Sequence, residues 1–479
     1  MADSSEILLS KSDYLLFLEA PRHLWAKRHG AFGEILSDFD RYLIAQGAEV
    51  ERLAATYVEE YLLPAQPGAK LLWQQTFIDG EYLARPDLLL YHAGREAYDL
   101  VEIKSGTSID KENLHDITFQ YLVLAKNLPI QSCSLLHLNK DYRMGEALEL
   151  EGLFLWEDVT DKVRDLAEDV RTLRAAALRT VQTTDPEELD ACASPRACPC
   201  PEVCFPDLPG GSIYELPRLF ATQKQALRRQ GILRVRDLPE AYKLNKKQRI
   251  VAECVRAGRE HLDRAELRER LEELRYPLWF LDYETCLCPI PIFPGYKPQQ
   301  PAVFQYSLHC QDALGGEVQQ CGFIGWGEDE PSGELLEHLS AELGAEGSIL
   351  VWNQSFEKTR NREMAELHPE YAEFLGDVNE RIVDLMAIVD EGIYYHPDFR
   401  GSASIKQVLP VMVPELSYQG MEVHEGLQAS AGWLKLRSGL LSGEERTELL
   451  EDMARYCALD TYAMVAILRR FQEMLTPQG

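Results

Sequence analysis

The chain has 479 residues, 46% of them hydrophobic and 27% charged, which is a globular composition with material for about three domains. Its 49 Lys and Arg against 78 Asp and Glu leave a net charge of −29, so any grip on nucleic-acid phosphate must be local or carried by bound cations. No apolar run approaches a membrane span, and the start, Met1-Ala-Asp-Ser-Ser-Glu6, lacks a basic segment followed by an apolar one, so a soluble cytoplasmic protein with no membrane partner is expected.

Ser10-Lys-Ser-Asp13 offers capping groups ahead of Tyr14-Leu-Leu-Phe-Leu18, which predicts a short helix. Residues 39–63 carry apolar side chains at helical spacing and include Glu49 and Glu51. Three strands are then expected, over 71–78, 82–91 and 98–104. In the last, Glu102 and Lys104 share one face and Ile103 takes the other. A salt-bridge ladder on an exposed strand would explain Glu102 and Lys104, but not Asp87, which opens the preceding apolar run. A helix carrying Gln120 follows.

Asp87 followed by Glu102-Ile-Lys104 resembles the PD-(D/E)XK nucleases, and the surroundings resemble their RecB-like branch. The resemblance implies a restriction-endonuclease-like core. Asp87 and Glu102 would hold Mg²⁺ or Mn²⁺, while Lys104 would position an attacking water and offset developing negative charge. Gln120 matches the glutamine of the branch's Q-x-x-x-Y motif, with Leu124 where Tyr is usual. An upstream acid normally completes the metal site; Glu51 is the candidate and Glu49 the alternative.

A helix is expected over 161–181, leading to Cys192, Cys198, Cys200 and Cys204. Four cysteines with three prolines between them are too crowded for a core strand or helix and point to a metal or cluster site, for which zinc and iron–sulfur both use four thiolates. Some RecB-like nucleases close a [4Fe-4S] cluster with one N-terminal cysteine and three after the nuclease core. Cys192, Cys198 and Cys204 resemble the three. Ala20-Pro21 resembles the N-terminal Cys-Pro with Ala in place of Cys, so the cluster either lacks a ligand or takes Cys200 instead; Zn²⁺ is the alternative. The other seven of the eleven cysteines are scattered singly and read as small core residues in a reducing compartment.

Pro206-Asp-Leu-Pro-Gly-Gly211 marks a joint. Residues 218–249 then carry ten Lys and Arg against Asp237 and Glu240, a local charge of +8. Leu227 to Leu238, turning at Gly231, resembles a helix-hairpin-helix element, whose backbone amides meet phosphate. This piece is expected to contact nucleic acid, DNA in preference to RNA.

The last domain opens on an apolar strand over 278–281, which delivers Asp282 and Glu284 to one face at its C-terminal end. Residues 303–309 are expected to lie beside it. A second apolar strand, beginning at Leu350, runs into a polar turn with Asn353 and Glu357, and Tyr456 and Asp460 share one face of a later helix. This order of motifs resembles the DnaQ-like 3′→5′ exonucleases of the ribonuclease-H-like fold. The resemblance implies that Asp282, Glu284, Glu357 and Asp460 hold two cations about 4 Å apart and that Tyr456 orients the attacking water. Glu357 stands where Asp is usual. Asp384 is read as structural, Lys406 as either a phosphate contact or a surface lysine, and 289–301 as a loop inside this domain.

The reading is therefore an α/β protein: a RecB-like nuclease with its cysteine segment over 1–208, a basic helical linker over 209–274, and a ribonuclease-H-like exonuclease over 275–479. The expected function is metal-dependent cleavage of nucleic-acid phosphodiesters at two sites. The departures at Glu357, Leu124 and Ala20 leave open a nucleic-acid-binding scaffold with degenerate nuclease domains. A zinc-stapled structural protein would account for the cysteines but for neither carboxylate set.

Overall fold

A computed structural model describes residues 8–33, 38–417 and 426–476. The architecture is mixed α/β, with two five-stranded sheets, one three-stranded sheet and one two-stranded sheet among the described residues. The chain divides into two compact units, each built from two pieces: Met1–Asp207 with Cys288–Gln300, and Leu208–Leu287 with Pro301–Gly479. The segment 209–274, expected as a separate linker, thus groups with the second unit, and residues 288–300 group with the first. Among the described residues, no helix is long and apolar enough to cross a membrane.

In the first unit, helix α1 (Lys11–Glu19) starts at a reciprocal cap between Ser10 and Asp13 and is followed directly by α2 (Pro21–Arg28) and later by α3 (Asp38–Tyr57). The five-stranded sheet runs β1 (Ala69–Trp73), β2 (Leu88–His92), β3 (Ala97–Lys104), β4 (Ile130–Leu138) and β5 (Phe154–Asp158) in sequence order. Neighbours are antiparallel except β3 and β4, which are parallel and joined through α4 (Lys111–Leu124). Helix α5 (Thr160–Gln182) follows.

Two of the expected strands are each broken in two. The stretch 71–78 is interrupted after β1 at Gln74, whose φ is +49°, and resumes as Phe77–Asp79 in the three-stranded sheet. The stretch 82–91 gives Tyr82–Ala84 in that small sheet, then β2, because Pro86 has no N–H to offer a ladder. Asp87 therefore sits at the break, immediately before β2.

Residues along β3 alternate between two cores. Leu100 faces one with Ile117 and Phe119 of α4, while Val101 and Ile103 face another with Val50 and Leu53 of α3. By parity Glu102 and Lys104 project toward α4. The inserted residues 288–300 belong to the second of these cores through Ile290.

In the second unit, α6 (Ala221–Arg229) ends before Gly231, at φ +75°, and α7 (Lys246–Ala257) is capped by Asn245. Val235, Leu238, Val251 and Ala252 of this basic stretch share a core with Leu278 and Phe280. Its surface is partly neutralised, since Arg218 and Lys247 both pair with Asp390.

The second unit's large sheet has β6 (Leu278–Leu287) at its centre. The antiparallel strands β7 (Pro301–Gln311) and β8 (Val318–Ile324) extend it on one side, and the parallel strands β9 (Ser348–Val351) and β10 (Ile382–Asp384) on the other. Helix α8 (Gln354–Leu367) leaves the end of β9, and the long α9 (Gly443–Leu475) closes the chain. Leu278 and Phe280 pack with Ala463, Met464 and Leu468 of α9, whereas Leu281 and Tyr283 pack on the opposite face with Leu335 and Met364. Asp282 and Glu284 share the parity of Leu278 and Phe280, so they emerge on the side covered by α9.

Candidate functional site

Where β6 leaves its apolar core, Asp282 and Glu284 meet residues of two other elements. Ligand atoms of Asp282, Glu284 and Cys457 of α9 all lie within 4.8 Å of one another. One turn of α9 brings Tyr456 and Asp460 to the same place, and the Tyr456 hydroxyl hydrogen-bonds the Asp460 carboxylate. Glu357 projects from the first turn of α8; it is 1% exposed, and its Oε2 has no hydrogen-bond partner. That orphaned oxygen is costly unless something positive meets it.

The electrostatics of the cluster follow from its burial. Desolvation, and then the charge of Asp460, raise Asp282 well above the usual carboxylate range. Glu284 is raised by burial, then by Asp282 and Asp460. Burial and then Asp282 push Glu357 up to about 9. Burial first, followed by Asp460 and Glu284, raises the Tyr456 phenol too, so it remains a proton donor. The Lys406 ammonium stands 5.4 Å from the centre of the Tyr456 ring and eases the repulsion on Asp282 and Glu284. The carboxylates of Asp282, Glu284, Asp460 and Glu357 act on one another electrostatically, and such oxygen donors fit hard divalent cations, with the Cys457 thiol beside them. Asp384 serves the backbone instead. Its carboxylate accepts from the N–H groups of Asn353, Gln354 and Met386, which caps α8, where Asn353 makes no side-chain cap of its own. Cys457 was not singled out in the sequence, although it stands between Tyr456 and Asp460.

The first unit holds a second polar centre at the end of β3. Glu102 is buried, accepts from Lys104 Nζ at 3.0 Å and from Gln120 Nε2 at 2.7 Å, and makes a short contact with Lys11 Nζ. Lys104 also pairs with Asp116, whose other oxygen accepts from Gln120 at 2.8 Å. Asp87 accepts the Ile103 N–H at 2.8 Å, which ties the break before β2 to the end of β3. Burial and then Glu102 push Asp87 up to about 7. Burial opposes ionisation of Glu102, but Lys104 and Lys11 outweigh it and hold Glu102 down at about 2.

Asp87 and Glu51 line one cavity of about 330 Å³ together with Lys11, Arg85 and Gln74. Glu49 is instead engaged by Arg52 one turn along α3. Leu124, at the expected tyrosine position, is buried in the core beneath α4. Lys11 and Asp116 went unnoticed in the sequence. Asp116 had a usable signal, because it lies one helical turn before Gln120, while Lys11 had none.

The cysteine segment meets α2. Ligand atoms of Cys192, Cys198, Cys204 and His23 all lie within 4.8 Å of one another, with His23 Nε2 at 3.6 Å from Cys198 Sγ. Arg22, beside His23, is buried and donates to the carbonyls of Leu189, Val203, Cys204 and Glu187, so the two segments are stitched together by backbone recognition. A hydrogen bond from Cys192 lowers the Cys204 thiol, burial opposes this, and His23 adds to the lowering, so Cys204 is held below the usual thiol range. Cys200 Sγ lies 3.9 Å from Cys204 Sγ but outside the group of four. The sequence resemblance directed attention to Ala20; the imidazole three residues later was missed.

A domain family described as a domain of unknown function, DUF2779, matches residues 279–404, which include Asp282, Glu284 and Glu357. The chain is 31% identical over 140 residues to uncharacterized protein UU173 of Ureaplasma parvum, covering 26% of this chain and 20% of the relative. It is 27% identical over 153 residues to uncharacterized protein MG366 of Mycoplasma genitalium, covering 30% of this chain and 23% of the relative. The matched stretches thus span about a fifth of these curated relatives' length. No solved structure matches the chain significantly.

Proposed function

We propose that the chain is a metal-dependent nuclease that cleaves nucleic-acid phosphodiesters, with its principal site at Asp282, Glu284, Glu357 and Asp460. The observation that carries this reading is the convergence of four carboxylates from three elements, with an unpartnered, buried oxygen on Glu357. Like charges are rarely buried together unless a cation compensates them. The central position of β6, with antiparallel strands on one side and parallel ones on the other, supports a ribonuclease-H-like core. For the first unit, Asp87, Glu102 and Lys104 around the end of β3 support a restriction-endonuclease-like core.

Bound divalent cations would supply positive charge to the attacking and leaving oxygens of an in-line phosphoryl displacement. The four carboxylates would hold those cations. Tyr456, whose single O–H is directed at Asp460, would accept a hydrogen bond from a water through its hydroxyl oxygen and so orient it, and Lys406 beside it would offset phosphate charge. In the first unit, Asp87 and Glu102 would be the ligands and Lys104 the cationic partner, with Gln120 fixing the Glu102 carboxylate.

The test is incubation of the purified chain with end-labelled single- and double-stranded DNA and RNA, with Mg²⁺, Mn²⁺ or chelator. Cleavage with metal that chelator abolishes is expected, and failure to cut any substrate with either metal would sink the reading. One observation favours a second reading for the first unit alone. Lys11 and Lys104 both occupy Glu102, which suits a nucleic-acid-binding surface as well as a cutting one. Cleavage that persists in Asp282→Ala would speak against it.

A further inference from the structure

We propose that His23, Cys192, Cys198 and Cys204 form a mononuclear zinc site of three thiolates and one imidazole, in place of the [4Fe-4S] cluster that the sequence resemblance implies. This inference is independent of the nuclease reading.

Spacing and donor chemistry both favour a single ion. A single tetrahedral Zn²⁺ with Zn–S bonds near 2.3 Å and Zn–N bonds near 2.0 Å sets sulfur–sulfur edges of about 3.8 Å and nitrogen–sulfur edges of about 3.5 Å. The four ligand atoms here lie within 4.8 Å of one another, and the edge from His23 Nε2 to Cys198 Sγ is 3.6 Å. A cubane places each thiolate on a different iron and has its own core of irons and sulfides between them, so it holds its ligands farther apart than one ion does. These four atoms leave room for an ion but not for a cluster.

The surroundings of His23 point the same way. Its Nδ1 faces Glu19 Oε2 at 3.3 Å, across the extended Ala20 that separates α1 from α2, which leaves Nε2 to face the sulfurs. A carboxylate on the far nitrogen is the usual support of a zinc-bound imidazole, because it fixes the tautomer and the ring orientation. His23 is only 4% exposed and its ring meets Phe32 edge-on, so the imidazole is already held in place. The four Arg22 hydrogen bonds hold α2 against the segment that carries the three cysteines. The site would thus cross-link the start of the unit to residues more than 160 positions later, a long closure in which one ion removes much freedom from the unfolded chain. Cys200, at the N-terminus of the short turn Pro201–Cys204, would be a neighbour and not a ligand.

The experiment is elemental analysis of the full-length protein purified both in air and anaerobically, followed by Co²⁺ exchange. About one zinc per chain, no iron, and tetrahedral Co²⁺ bands with a thiolate charge-transfer band are expected. His23→Ala should weaken zinc retention against a chelator at least tenfold, whereas Cys200→Ser should not change it. His23→Cys should keep the metal and raise the charge-transfer intensity by about a third, as three thiolates become four. This arm stays decisive if His23→Ala fails to fold. Brown anaerobic protein with about four irons per chain, protein with no bound metal, or zinc lost in Cys200→Ser and kept in His23→Ala would each overturn the proposal.

Discussion

Replacing Glu357 by Gln should make the metal-free protein more stable while removing its response to Mg²⁺. Burial and Asp282 hold the Glu357 carboxyl at about 9, against a usual 4.5, so near neutrality the folded state keeps a proton that the unfolded chain would release. At pH 7 that mismatch of roughly 2.5 units costs the fold about 3 kcal/mol. Gln keeps the shape and removes the titration, so up to that amount returns, a rise of roughly 6–12 °C in melting temperature for a unit of this size. The sign fixes the pH window. A group whose folded pKa is raised contributes its full stability below the unfolded value of 4.5 and loses it progressively as pH rises toward about 9. The gap between variant and wild type in chelator should therefore widen across that window. Saturating Mg²⁺ should then raise the wild-type midpoint and leave the variant nearly unchanged. Scanning calorimetry of both proteins, with chelator and with Mg²⁺, measures all of this. Equal midpoints in chelator throughout the window, or an equal Mg²⁺ response, would refute the reasoning.

Three further outcomes are expected. Asp282→Ala and Lys104→Ala should each abolish one cleavage activity, with only the double variant inert on every substrate; loss of all cleavage in either single variant, folded by circular dichroism, would mean the centres do not act independently. Neutralising the exposed Lys243, Lys246 and Arg249 should flatten the salt dependence of nucleic-acid binding, the log–log slope falling by roughly 0.7–0.9 per lost phosphate contact. Lys247 is a poor choice there because it is engaged by Asp390. His309 is buried against Thr461, and desolvation lowers it to about 4, so the unfolded chain takes up its proton first and stability should fall by up to about 3 kcal/mol as pH drops from 6.5 toward that value. Urea unfolding across that range should show a slope that a non-titrating replacement such as His309→Asn removes.

Much of the second unit could be read from the chain because its information is local. The run 278–281 and the two acids after it set strand, parity and site face within seven residues, and Tyr456 and Asp460 are one helical turn apart. What the sequence hid was long-range. Lys11 meets Glu102 across 91 positions, and His23 meets Cys198 across 175, with no periodicity linking either pair. The strand breaks at Gln74 and Pro86 were missed for another reason. Each lies in a run of three residues without an apolar side chain, Gln74-Gln-Thr76 and Arg85-Pro-Asp87, too short to separate two strands by pattern alone, and the backbone torsion at Gln74 and the missing N–H at Pro86 end the ladders there. Asp384 shows the converse, since a carboxylate at the end of a strand, where an acid of the site would be sought, serves a helix cap.

The insertion between β6 and β7 bears on how the chain is made. Residues 1–207 leave the ribosome well before 288–300, yet the first unit counts both among its parts. Until the later piece arrives, the Ser105 carbonyl lacks the Gln299 amide, Met144 lacks its two backbone bonds to Gly295 and Tyr296, and the core around Leu88 and Val101 lacks Ile290. At roughly 5–20 residues per second, the 93 residues from 208 to 300 impose a wait of roughly 5–20 s, during which that apolar edge is open to chaperones or to neighbouring chains. Fragments of the protein inherit the same constraint. One cut at Asp207 reproduces that unfinished intermediate permanently, whereas joining residue 207 to 288–300 through a flexible linker gives Ser105, Met144 and the Leu88 core their missing partners back.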